Sequence, residues 1–114
     1  MGKKTDEKSS LFKFRRYKKK EGGKKASRHP KLVVDETQTD YGFMGLTKDS
    51  KRGHHNNLEL KKNPQKGNKN KAYLRDELRY DDKDNFGEIL QNYNLSSEDK
   101  KAIIELLKKR KKKK

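Results

Sequence analysis

Three histidines, His29, His54 and His55, carry the side chains in this sequence that titrate closest to neutral pH. A histidine can hold a phosphate, or act as general acid or base, without a large pKa shift. His54 and His55 lie in Lys48-Asp-Ser-Lys-Arg-Gly-His-His-Asn-Asn57, where Lys48, Lys51 and Arg52 add cations. Such a compact basic loop suits nucleic acid, and it reads equally as a solvated charge cluster. Arg28 precedes His29, and Thr47 stands just before the loop. Arginine offers an always-charged fork to phosphate oxygens, and a threonine hydroxyl can donate to the same phosphate. The reaction these groups suit is cleavage of RNA by its own 2′-OH. That reaction asks for a base at the hydroxyl, a cation for the charge developing around phosphorus, and a proton for the leaving oxygen. It needs no metal. Taken singly, Arg28 and Thr47 read as a surface cation and a strand-end hydroxyl. With no Cys and no His pair at helical spacing, neither a metal centre nor a cofactor is expected.

The elements that must position these residues follow from apolar patterning. Leu32, Val33 and Val34 form a β-branched run after Pro30, and Tyr41 to Thr47 is a second apolar run. Asp35 to Asp40 between them is rich in turn formers. The expectation is strand 31–35, loop, strand 41–47, with Thr47 at the strand end. Tyr41, Phe43 and Tyr73 can stack on bases or join the core, and Phe43 is assigned to the core. Leu58 and Leu60 predict a third short strand, and 61–71 is a second polar loop with Pro64 and Gly67 as turn formers. Residues 72–79 read as strand or helix. Asp82 predicts a helix cap, with Phe86, Ile89, Leu90 and Tyr93 on one face. Ser96 or Ser97 starts another helix, with Glu98 and Asp99 in its first turn and Ile103, Ile104, Leu106 and Leu107 inward.

Composition sets the limits. Of 114 residues only 26% are hydrophobic and 44% are charged, so the core must be small and part of the chain lies outside it. Residues 1–27 read as a basic, disordered arm, with a short edge strand around 10–18 as the other reading of Phe12 and Phe14. Residues 28–108 are expected to form the single folded domain, and 109–114 a Lys-rich tail. The net charge of +16 makes nucleic acid the leading partner. No apolar run approaches the ~20 residues of a membrane span, and no signal-peptide core is present. Without cysteine the plain expectation is a cytoplasmic protein. The fold class expected is mainly β with C-terminal helices (α+β), a small antiparallel sheet carrying its helices on one side.

Five segments resemble a known family in their order. They are Arg28-His-Pro-Lys-Leu-Val-Val34, Gly45-Leu-Thr47, Asn57-Leu-Glu-Leu60, the block from Ala72 to Phe86, and Leu95-Ser-Ser-Glu-Asp-Lys100. Within the fourth, Arg79, Asp82 and Lys83 keep an Arg-x-x-Asp-Lys spacing. Together they resemble the MazF/PemK-like toxins, small ribosome-independent endoribonucleases of toxin–antitoxin pairs. The resemblance implies an SH3-like β-barrel with a C-terminal helix, and a strand at 72–80. It also implies a homodimer, an antitoxin partner and single-stranded RNA, rather than DNA, as substrate. Carried over, Arg28 would stabilise the phosphate charge and Thr47 would assist at the same phosphate. The family's Arg-Pro pair is split here by His29, so either Arg28 or His29 can hold the active-site position. The family's first strand and its Gly-x-Glu-x-x-Gly approach are absent. The alternative is a non-catalytic basic nucleic-acid-binding protein, of a mobile element or RNA-associated.

Overall fold

The computed structural model describes residues 11–18 and 29–112. The central hairpin is the one the apolar runs predict. Strands β2 (Lys31–Glu36) and β3 (Asp40–Thr47) pair antiparallel with Lys31 opposite Gly45 and Val33 opposite Phe43. Thr37 closes the turn between them: its Oγ1 accepts from the Asp40 amide at 2.9 Å.

The first strand departs from the arm expected over 1–27. β1 (Lys13–Tyr17) lies inside the sheet, next to β2. The reason is aromatic burial. Phe14 and Tyr17 are 0% and 2% exposed, on opposite faces of the strand, and each aromatic buries about 150–250 Å². That outweighs the neighbouring cations, which stay at the surface or lie over rings. Phe12 leads into β1 in the left-handed region (φ 63), its ring under the Lys100 ammonium at 5.2 Å. Residues 1–10 and 19–27 lie outside the described residues.

After β3 the chain makes a small hairpin, β4 (Lys51–Arg52) and β5 (His55–Asn56), within the stretch expected to be an open loop. Gly53 turns it with φ 64, a left-handed value that favours glycine. Then come β6 (Leu58–Glu59), the polar loop 61–71, β7 (Tyr73–Leu74) and β8 (Arg79–Asp82). Segment 72–79 is therefore not helical, nor is it the single strand implied for 72–80: a tight turn, in which the Glu77 amide donates to the Arg75 carbonyl at 2.8 Å, separates β7 from β8.

The helix expected from Asp82 does not form. Asp82 does act as a cap, but of a single 3-10 turn, Lys83–Asn85, and β9 (Phe86–Ile89) follows at once. Gly87 disfavours a helix and suits the close approach of β9 to β1: a Cβ there would meet the Arg16 side chain at 3.2 Å. The apolar spacing of three and four fitted a helix face, yet Phe86 goes to an aromatic cluster and β9 takes the free side of β1. Among the described residues one α-helix remains, α1 (Ser97–Lys112), where two were expected.

The main sheet runs β6-β7-β3-β2-β1-β9, with β8 on the first half of β3. β8 and β9 flank opposite sides of the β3-β2-β1 core, yet three residues join them. The four steps from Asp82 to Phe86 span at most ~14 Å, less than the ~19 Å of four strand spacings, so the sheet must curl to bring β8 towards β9. The connection is fastened to both: the Lys83 amide donates to the Thr39 carbonyl (2.9 Å) and the Lys18 amide to that of Asn85 (2.8 Å). Tyr17, Val33, Tyr41, Phe43 and Phe86 meet on one face, and Tyr17 Oη donates to Asp81 of β8. On the other face Phe14, Leu32, Met44, Leu46 and Leu74 pack with Ile103 of α1.

Candidate functional site

Register decides what stands beside Thr47. The β2–β3 ladder pairs Lys31 with Gly45, and the Leu46 amide donates to the Pro30 carbonyl at 3.0 Å. His29 lies in a bend just before this ladder, and Thr47 is the last residue of β3. Both residues, with Lys48, line one cleft of about 330 Å³. Loop 61–71 supplies much of the rest of that lining, including Asn63, Asn68, Asn70 and Lys71.

Thr47 is 6% exposed. Its Oγ1 accepts from the Asp49 amide at 3.2 Å, which leaves the hydroxyl proton to donate elsewhere. His29 and Lys48 are exposed. Lys71 pairs with Glu59 at 3.2 Å, and the hydrogen bond and charge of that carboxylate raise the Lys71 pKa above its ordinary value. Lys71 thus stays charged throughout the neutral range, with a carboxylate beside it.

The other residues singled out from sequence fall elsewhere. Arg28 lies outside the described residues. Lys51, Arg52, His54 and His55 belong to the β4–β5 hairpin, and Lys51, His54 and His55 do not line the cleft. Arg52 and His55 pair across the hairpin, and His55 Nε2 stands 3.5 Å from Asp76 Oδ2. Phe43 is buried at 2%, as assigned, and its ring packs on Tyr17 and Phe86. Among the described residues no group of three or more His, Asp or Glu is placed to hold a metal ion.

Two cations near the site escaped the sequence reading. The Arg75 amide donates to the Gly45 carbonyl at 2.8 Å. A Cβ at Gly45 would meet Arg75 Cδ and Lys31 Nζ, each at 3.5 Å. Gly45, two residues before Thr47 on the same strand, thus has a cationic chain on either side. A glycine inside an apolar strand was the available signal, since it marks close approach of another group.

Loop 61–71 was the larger omission. It is tied by its own amides. Asn63 Nδ2 donates to the Asn70 carbonyl (2.8 Å) while its Oδ1 accepts from the Gln65 amide (2.8 Å). Asn68 Nδ2 donates to Gln65 Oε1 (3.0 Å), and its Oδ1 accepts from the Asn70 amide (2.8 Å). The entry is held by Asp99 of α1, 2% exposed, whose carboxylate accepts from the amides of Lys61 (2.8 Å) and Lys62 (3.2 Å). Ser96, before the first turn of α1, donates to the same carboxylate at 3.0 Å and caps the Asp99 amide at 3.2 Å.

The assembled cleft therefore offers an imidazole, a hydroxyl and an ammonium on one side and a rigid amide-bearing loop on the other. No family model, no curated protein and no solved structure matches the chain.

Proposed function

We propose that this protein is an endoribonuclease of the MazF/PemK-like toxin type, cleaving single-stranded RNA without a metal on a small SH3-like barrel. The observation that carries the reading is that His29, Thr47 and Lys48 line one cleft. The curl of the sheet, which brings β8 and β9 together through a three-residue 3-10 turn, supports the barrel.

The chemistry follows from the groups present. Neutral His29 takes the proton of the 2′-OH, and the oxygen attacks the adjacent phosphorus. Thr47 Oγ1–H donates to a non-bridging oxygen, and Lys48 lowers the energy of the extra negative charge there. Arg28, next in sequence to His29, is the cation that the family resemblance assigns to that phosphate. The P–O5′ bond breaks and the 5′-oxygen takes up a proton, leaving a 2′,3′-cyclic phosphate and a 5′-hydroxyl. A cytoplasmic setting, a homodimer and an antitoxin partner complete the proposal as the resemblance implies them.

The test is incubation of the pure protein with a long single-stranded RNA in EDTA, followed by end mapping. Discrete cuts with 5′-hydroxyl ends are expected, slowed about a hundredfold or more in His29→Ala and Thr47→Ala. Thr47→Ser should retain cleavage. Wild-type rates in both alanine variants would overturn the site. RNA that stays intact but is retarded on a gel would leave a non-catalytic basic binding protein. That second reading is favoured by cations stacked over the aromatic cluster, Arg15 on Tyr41 and Arg79 on Phe43.

A further inference from the structure

Loop 61–71 has two sides, and the cleft with His29 uses only one. Beyond it the loop borders a second, larger cleft of about 560 Å³. Asn63, Gln65 and Asn68 line both, so the two clefts share a wall. The second cleft is completed by residues 91–96. Backbone bonds lace the two segments together: the Lys66 amide donates to the Asn92 carbonyl (2.8 Å) and the Asn94 amide to that of Pro64 (2.8 Å).

The lining has a definite chemistry. Lys62, Lys66 and Lys69 face it, with Gln91 and Asn94, and no carboxylate lines it. All five of these residues are exposed. The three lysines form no ion pair among the described residues, and the side-chain amides of Gln91 and Asn94 form no hydrogen bond there. Ammonium groups hold phosphates as point charges, whereas a primary amide presents a donor and an acceptor at the spacing of a base edge. Asn63 and Asn68 are consumed in tying the loop, so they build the wall and do not read with it. A prebuilt wall spares a ligand the cost of ordering it.

We infer that this second cleft is a nucleotide subsite for the strand that passes through the first, with Lys62, Lys66 and Lys69 on phosphates and Gln91 and Asn94 on a base edge. The inference rests on the RNA reading of the cleft that holds His29 and Thr47. It adds a place where sequence preference arises, away from the reacting phosphate.

The experiment uses the full chain and fluorescent homopolymeric oligoribonucleotides carrying 2′-O-methyl groups, which bind but lack the attacking hydroxyl. Affinities are measured by anisotropy across a salt series. Lys66→Ala/Lys69→Ala should weaken binding to every oligomer and lower the salt slope by about 1.4. Gln91→Ala/Asn94→Ala should leave the slope unchanged and compress the preference among homopolymers by about fivefold or more. If the wild type binds, and either double variant matches it in slope or in preference respectively, the subsite is overturned while the RNA reading stands. A wild type that binds none of the oligomers overturns both.

Discussion

Two polar segments interrupt the chain between β3 and β7, the hairpin 48–57 and the loop 61–71. Both are basic and nearly without apolar residues, and both end where a strand begins. The hairpin is held at its base by Asn57, whose amide and Nδ2 donate to Ser50 and Asp49 (2.9 Å each), and its tip is solvated. The loop is held along its length by Asn63 and Asn68, by buried Pro64, and by a carboxylate of the distant helix. Charge content is the same kind of signal in both. What separates them is where the backbone donors find acceptors. Those of the loop are met by side chains that fix it, so its exposed cations and amides stand in a defined surface.

Removal of the helix carboxylate should break this contrast most severely. Asp99→Ala leaves the amides of Lys61 and Lys62 and the Ser96 hydroxyl without their acceptor, at an expected cost of about 3 kcal/mol. Urea denaturation gives the loss directly, and amide exchange should accelerate across 61–71 but not across 48–57. Asp99→Asn keeps one acceptor oxygen and should lose less. Equal exchange changes in both segments would mean that the loop is not separately fastened.

A matched pair of glycines sharpens the comparison at smaller cost. Gly53 and Gly67 both have left-handed φ, 64 and 82, and open space where a Cβ would go. Alanine carries the same backbone penalty at each, about 1 kcal/mol. In Gly67→Ala the penalty is coupled through Asp99 and the 92–94 contacts to the core, so the global urea midpoint should fall. In Gly53→Ala the two-residue strands can fray without consequence, and the midpoint should hold. Equal midpoints in the two variants would remove the distinction.

The parts of this architecture legible in the sequence are those with one dominant period. β2, β3 and the start of α1 stand within a residue or two of their expected bounds, because Leu32 to Val34, Tyr41 to Leu46 and Ile103 to Leu107 have apolar neighbours at strand or helix spacing, whereas α1 runs on to Lys112, into the stretch 109–114 expected as a tail. β1 was obscured by its cations. Its two buried rings are the only apolar groups in five residues, and a charge average cannot register them. β9 was misread because Phe86, Ile89, Leu90 and Tyr93 fit a helix face, and the partner that settles the matter, β1, is seventy-odd residues away (Arg15 opposite Ile89). At the site, His29, Thr47 and Lys48 could be chosen by residue type, since they flank one local hairpin, β2–β3. The role of loop 61–71 could not, because its clamp, Asp99, is 38 residues beyond Lys61.

The smallest expected effect concerns the residues that look most reactive in the sequence. His54 and His55 were the natural candidates for acid–base work, yet neither lines the cleft. The His55 side chain is 66% exposed, and its contact with Asp76 at 3.5 Å is a surface pair, worth at most about 1 kcal/mol even when the imidazole is charged. His54→Ala/His55→Ala should therefore change the urea midpoint by no more than about 0.5 kcal/mol equivalent. RNA affinity should fall a few-fold at low salt and recover toward the wild-type value as salt screens the hairpin's remaining charge. The cleavage rate at saturating RNA should match wild type, whereas Thr47→Ala loses it. If the double histidine variant loses cleavage as completely as Thr47→Ala, the hairpin closes over the cleft when RNA is bound. The solvated segment would then be the reactive one, and the fixed loop its support.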